Sequence, residues 1–229
     1  MKLLALDTST EFLSLALQVD EHIFTYHQKA GAMASQLILP SIQALLSEAK
    51  VSLADLQGIA FGAGPGAFTG VRIACGVAQG LALGANLPVV GVNTLNVVAE
   101  ASGADKVIVC QDARMGEVYH AAYEKIADRW VEVSATIVCK PELVPAITGQ
   151  NWVGAGSGWA VYDEALQQTY AQNVSQVLPD VSPTATAILA LTKLTFKAGL
   201  AKPASEAAPI YIRNRVALTT QEREQGLRL

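Results

Sequence analysis

Two aspartates stand where a carboxylate could meet a phosphate. Asp7 ends the apolar run Lys2-Leu3-Leu4-Ala5-Leu6-Asp7, and Asp112 ends Lys106-Val107-Ile108-Val109-Cys110-Gln111-Asp112. At a strand end such groups can hold a magnesium ion or its waters beside nucleotide phosphates. Thr8 and Ser9 add hydroxyls and backbone N–H groups to the first turn. An aspartate that caps its own turn is an equally good reading of either residue alone. Two glycine-rich stretches accompany them, Gly62-Ala63-Gly64-Pro65-Gly66-Ala67 and Gly154-Ala155-Gly156-Ser157-Gly158. Asp7, Thr8, Ser9, Gly64, Gly66, Asp112, Gly154, Gly156, Ser157 and Gly158 are therefore the candidate loops of a nucleotide cleft. Its ligand would be ATP or ADP with magnesium, held weakly or at an interface; no other cofactor is indicated.

Other chemistries lack their residues. The first glycine stretch formally fits G-x-G-x-x-A, but a dinucleotide fold wants a carboxylate at the end of the next strand. That strand ends at Gly91-Val92-Asn93-Thr94, and no G-K-[ST] follows to make a Walker loop. His22, His27 and His120 show no H-x-x-x-H or H-E-x-x-H spacing, and G-x-S-x-G is absent. No catalytic residue and no metal-ligand set can be nominated. Cys75, Cys110 and Cys139 are far apart without a C-x-x-C pair, so they read as buried reduced thiols.

The elements that must position these residues follow from periodicity. Strands are expected over Lys2–Asp7, Glu11–Val19 and His22–Lys29, then a helix over Ser35–Ala49 that Pro40 should kink or restart. Gly58–Gly62 reads as a buried strand, and Gly70–Ala85 as a helix with Thr69 as its N-cap. A strand over Leu87–Val92 and a helix over Thr94–Ala101 lead to a polar break at Ser102–Asp105. The pattern then begins again. Lys106–Asp112 mirrors Lys2–Asp7, and Gly116–Tyr123 mirrors Phe12–Leu17, which suggests a duplicated lobe with the two Asp-ended turns facing one cleft. Strands over Trp130–Cys139 and Asn151–Gly154, a helix from Trp159 to about Gln168, and an amphipathic helix over Thr184–Ala198 complete the second half. A short strand at Ile210–Ile212 and a charged tail, Thr219–Leu229, close the chain.

One helix is unusual. Gly76, Gly80 and Gly84 recur four residues apart within Gly70–Ala85. Glycine costs about 1 kcal/mol relative to alanine inside a helix, so a stripe of three needs a packing reason. Close packing within the lobe and an interface with another subunit are both open.

Composition sets the limits. Of 229 residues, 51% are hydrophobic and only 6% aromatic, an aliphatic content suited to helices packed on a sheet. The mean hydropathy of +0.31 is high, yet no stretch of about 18 residues is free of charge, glycine cluster or proline, so no membrane span is expected. Asp7 arrives too early for a secretory leader, and a cytoplasmic protein is the expectation. A net charge of -4 argues against this chain alone gripping nucleic acid.

Four segments together resemble the bacterial TsaB (YeaZ) family: MKLLALDTST, GAGPGAFTGVRIACGVAQGLALG, DARMGEVY and PIYIRNRVA. The resemblance implies an α/β fold of two RNase H-like lobes, of the actin, sugar kinase and Hsp70 class. The first would span residues 1–102 and carry the partner interface, a reduced second 103–217, and a charged tail 218–229. It implies an accessory role in N6-threonylcarbamoyladenosine (t6A) synthesis at adenosine 37 of tRNAs reading codons that begin with adenosine. Such a chain pairs with a catalytic TsaD-like paralogue, works with a TsaE-like ATPase, reaches tRNA only through the complex, and is a homodimer when alone. The implied interface uses Gln36, Leu37, Leu39, Pro40, Arg72, Cys75, Gly76, Gln79 and Gly80. The H-x-x-x-H metal pair of TsaD-like proteins has no counterpart at Ala34–Ile38, and Ala34 stands where many TsaB sequences keep a histidine. The rival reading is an ATP-dependent phosphotransferase or ATPase of the same superfamily. The family's peptidase label finds no nucleophile and base here.

Overall fold

Leu3, Leu4, Ala5 and Leu6 are all fully buried, so β1 (Lys2–Asp7) lies inside a sheet covered on both faces. The computed structural model describes residues 1–213. β1 pairs antiparallel with β2 (Phe12–Val19), which pairs antiparallel with β3 (His22–Lys29). On its other side β1 runs parallel to β4 (Gly58–Gly64), and β4 to β5 (Val89–Asn93), giving the order β3-β2-β1-β4-β5.

The second sheet repeats this plan. Its strands are β6 (Lys106–Arg114), β7 (Glu117–Ile126), β8 (Arg129–Cys139), β9 (Trp152–Ala155) and β10 (Val174–Leu178). Their order β8-β7-β6-β9-β10, antiparallel on one side of β6 and parallel on the other, matches the first sheet strand for strand. The duplicated RNase H-like architecture of the actin class is thus present.

Side-chain alternation decides which helix covers which face. Leu4, Leu6, Leu15, Leu17, Ile59 and Phe61 meet α1 (Ala34–Glu48) and α2 (Phe68–Ala85) through Ile38, Ile42, Leu45, Ala74 and Ala78. Leu3, Ala5, Ala16 and Ala60 face the other way, onto Ala185, Ile188 and Leu189 of α6 (Ala185–Lys197). The polar break near residue 102 does separate the two sheets. Helix α6, however, which falls in the span expected for the second lobe, packs on the first. Conversely α3 (Thr94–Ala101) buries Leu95, Val98 and Ala99 against Val107, Val109 and Ala121 of the second sheet. The lobes exchange helices, and each supplies part of the other's core.

Several local expectations change. α1 runs unbroken through Pro40, which sits exposed, where solvent can take up the Gln36 carbonyl that proline cannot bond. α2 starts at Phe68 with Ala67 as N-cap and no side-chain cap, so Thr69 lies inside the first turn. The Ala67 N–H instead donates to the Ser9 carbonyl at 2.7 Å. The helix expected from Trp159 divides at Tyr162 into α4 (Gly158–Val161) and α5 (Asp163–Tyr170), because the Tyr162 backbone leaves the helical region at φ -126°. β10 carries no clean alternation and escapes sequence reading. Ile210–Ile212 forms no strand; a single bond ties it, from the Ile210 N–H to the Ala63 carbonyl at 2.7 Å. The tail 218–229 and the end of the PIYIRNRVA segment lie outside the described residues.

Candidate functional site

The first Asp-ended turn is closed on itself. Asp7, Thr8 and Ser9 are each 1% exposed. The Ser9 N–H donates to Asp7 Oδ1 at 2.9 Å, and the Ser9 hydroxyl reaches both carboxylate oxygens at 2.8 and 3.0 Å. Thr8 Oγ1 donates to the Gly70 carbonyl at 2.6 Å. The glycine loop is pressed onto this turn: a Cβ at Gly62 would overlap Asp7 Oδ2, one at Gly70 the Thr8 carbonyl, and one at Gly66 would lie 2.5 Å from the Ser9 carbonyl. These glycines admit the Asp7 carboxylate and the Thr8 and Ser9 carbonyls of the protein itself where a phosphate is expected. Burial pushes the Asp7 carboxyl up to about 6, against the lowering effect of the Ser9 bonds.

The second turn is built alike. The Asp112 N–H donates to Ser157 Oγ at 3.1 Å, and Ser157 Oγ donates to Gln111 Oε1 at 2.7 Å. Asp112 itself accepts from the Arg114 N–H at 2.8 Å and from Tyr162 at 3.2 Å, and pairs with the Arg114 guanidinium at 2.9 Å. A Cβ at Gly156 or Gly158 would come within 2.7 or 2.8 Å of the Cys110 carbonyl, and one at Gly154 within 2.6 Å of the Trp159 ring. The first lobe therefore seals its aspartate turn with the glycine loop, whereas in the second the glycine loop packs on the Cys110 carbonyl and the Trp159 ring and leaves Arg114, Met115 and Gly116 of the turn exposed. The ten cleft residues thus fall into two separate clusters, one per lobe, of which the first is closed on itself.

The open surface lies elsewhere, on α1 and α2. α2 buries Val71, Ala74, Cys75, Ala78 and Ala82 and turns Arg72, Gly76, Gly80, Leu83 and Gly84 outward. A Cβ at Gly76, Gly80 or Gly84 would meet nothing within 4 Å, so close packing inside the lobe is not what the stripe serves. α1 contributes exposed Gln36, Leu39 and Pro40, with Leu37 half-buried. Of the expected interface residues, Cys75 is buried, and half-buried Gln79 donates to the Ala204 carbonyl at 3.3 Å. Sequence reasoning missed Met33, Phe68 and Leu83, which stand 48%, 59% and 60% exposed on or beside the same face. The helical spacing of Phe68, Arg72, Gly76, Gly80 and Leu83 could have found the last two. By length and composition α2 could cross a membrane. Here its buried stripe is spent on the first sheet and its apolar outer stripe is left open.

Other reactive groups are enclosed. Cys75 and Cys110 are buried free thiols as expected, while Cys139 is only half-buried. Burial raises the pKa of all three, most strongly at Cys110. His120 is fully buried on β7; Tyr170 donates to the Pro145 carbonyl at 2.6 Å, so the imidazole Nε2–H donates to Tyr170 at 2.9 Å. Desolvation brings the His120 pKa down to about 4. Among the described residues, no three His, Cys, Asp or Glu side chains converge as metal ligands.

Comparison with known proteins fits this geometry. The family model of TsaD, tRNA N6-adenosine threonylcarbamoyltransferase, matches residues 25–220. The tRNA threonylcarbamoyladenosine biosynthesis protein TsaB of Escherichia coli K12 is 38% identical over 95% of this chain and 96% of its own length. Its Haemophilus influenzae namesake is 35% identical over 94% and 95%. The solved structure of YeaZ from Pseudomonas aeruginosa superposes with a TM-score of 0.84 at 36% identity, over 92% of this chain and 99% of that one. With duplicated sheets, a sealed first turn and near full-length similarity in agreement, the chain belongs to the TsaB (YeaZ) family.

Proposed function

We propose that this chain is a non-catalytic scaffolding subunit in t6A biosynthesis, which docks on a TsaD-like catalytic paralogue through the outer faces of α1 and α2. The paralogue and a TsaE-like ATPase carry the chemistry and hold the tRNA, whose adenosine 37 is the target in tRNAs reading ANN codons. The observation that carries this reading is the open glycine stripe. Three helical glycines cost roughly 2–3 kcal/mol relative to alanine, and no intramolecular contact uses the room they leave. A helix approaching from outside would use it. Exposed Leu39, Phe68 and Leu83 beside the stripe supply apolar area to such a contact. The net charge of -4 supports leaving the tRNA phosphates to the partner. In isolation the same face would pair two copies of this chain.

The test is to replace Gly76 and Gly80 by Leu and titrate the variant against the catalytic paralogue by calorimetry. Loss of binding, with the circular dichroism melt of the isolated chain no lower than in the wild type, is the expected result. Unchanged affinity would remove α2 from the interface.

A further inference from the structure

The segment Pro209–Arg213 touches both lobes: it meets the glycine loop and the start of α2 in the first, and the turn between β6 and β7 in the second. At one end the Ile210 N–H donates to the Ala63 carbonyl at the end of β4, and the Ile210 carbonyl lies against Gly64, where a Cβ would come within 3.0 Å. Tyr211 sets its ring 4.9 Å from the Arg72 guanidinium, which is itself stacked 3.2 Å from the Phe68 ring at the start of α2. At the other end Arg213 reaches only second-lobe groups. Its guanidinium donates to the Ala113 carbonyl at 3.2 Å, to the Glu117 carboxylate, and to Met115 Sδ at 3.5 Å. The Arg213 side chain is just 14% exposed.

Burying a guanidinium this far is costly unless its bonds are made. All of those bonds lie across the lobe boundary from Ile210. The three residues from Ile210 to Arg213 span at most about 10 Å of backbone. Ala63 lies near the end of β4 in the first sheet, and Ala113 near the end of β6 in the second. A strap this short cannot keep both ends bonded while those loops separate. We propose that Pro209–Arg213 is an interlobe latch: its Arg213–Glu117 end fixes the second lobe against the glycine loop of the first. Tyr211 further ties that closure to the first turn of α2. Opening the two turns toward a ligand or partner would require the latch to release first.

The latch belongs to the isolated full-length chain, so its test needs no partner, and hydrogen exchange at dilutions where light scattering shows a monomer keeps it apart from pairing through α1 and α2. Amide hydrogen exchange is measured on wild type, Arg213→Ala and Glu117→Gln. Glu117→Gln keeps the shape of β7 and leaves Arg213 in place, so it decides the matter should Arg213→Ala unfold. Its change lies in the second lobe, and the decisive readout lies in the first. We expect exchange at the Ile210 amide and through residues 63–72 to accelerate about tenfold to a hundredfold, the loss of one charge-assisted bond. Amides of β1 and α6 should keep their protection. Acceleration confined to residues 112–117, or none at all, would show that the two anchors are independent and overturn the latch. Parallel loss of protection in β1 and α6 of Glu117→Gln would equally overturn it, because the contact would then support the fold as a whole.

Discussion

Alanine at Gly76, Gly80 and Gly84 separates what the stripe does for the fold from what it does for a partner. All three lie in α2 with ordinary helical backbone, and an added methyl meets nothing within 4 Å. Each replacement removes unfolded-chain entropy and gains helix propensity, about 1 kcal/mol per site, less at Gly84 near the helix end. The triple variant should therefore be roughly 2–3 kcal/mol more stable, a rise of about 4–12 °C in Tm for a chain of this size. Scanning calorimetry at low concentration, with light scattering on the same sample to fix the oligomeric state, reads this directly. The same three methyls stand where a partner helix would approach. Overpacking of that kind costs about 1–3 kcal/mol, or tenfold to a hundredfold in affinity for the catalytic paralogue. Stability up and binding down is the expected pair. A fall in Tm would refute the argument, since some internal contact must then need the glycines, and undiminished binding would refute the interface.

The remaining expectations concern buried groups. Gly70→Ala forces a methyl into the Thr8 carbonyl and should cost several kcal/mol, opposite in sign to Gly76→Ala one turn and a half along the same helix; urea denaturation distinguishes the two. Asp7 and His120 should oppose each other in acid. Asp7 has its pKa raised from 3.8 to about 6, so the folded state binds more protons than the unfolded between those values and stability falls as pH rises through them, by about 3 kcal/mol. His120 has its pKa lowered from 6.5 to about 4, so its contribution is full above 6.5 and is lost on acidification toward 4, also by about 3 kcal/mol. Stability of the wild type should hence be nearly flat from pH 4.5 to 6; Asp7→Asn should become acid-sensitive and His120→Gln acid-stabilised, and parallel profiles for the two variants would contradict the assignment. Mg-ATP added to the isolated chain should give no heat of micromolar binding, because the Asp7 carboxylate is buried and bonded to Ser9 and the Thr8 hydroxyl to the Gly70 carbonyl; clear binding abolished in Asp7→Ala would revive the phosphotransferase reading.

Much of the fold was legible because its signals are local. β1, β2, β3, α3 and α6 fall within a residue or so of their periodic patterns, since a buried strand or an amphipathic helix must write its environment into alternation or a 3.6-residue repeat. The duplication was visible from two short hairpins for the same reason. Where non-local contacts decide the backbone, the reading slipped. Docking on Ser9 moved the start of α2 from Gly70 to Phe68 and its N-cap from Thr69 to Ala67, Tyr162 reaching Asp112 accompanies the divided helix, and β10 is a strand only because β9 lies beside it.

By itself the sequence determined the family, the two repeated lobes, the scarcity of catalytic equipment and the existence of a glycine stripe, all of which are written in residue type and spacing. Only the tertiary structure decided that Gly62, Gly66 and Gly70 admit close neighbours while Gly76, Gly80 and Gly84 face open space, for a missing Cβ looks the same in sequence whatever stands opposite it. It also decided that α6 returns to the first sheet and that Arg213 crosses to the second lobe. Those partners are brought together by chain closure over 171 and 100 residues, distances at which no local pattern carries information.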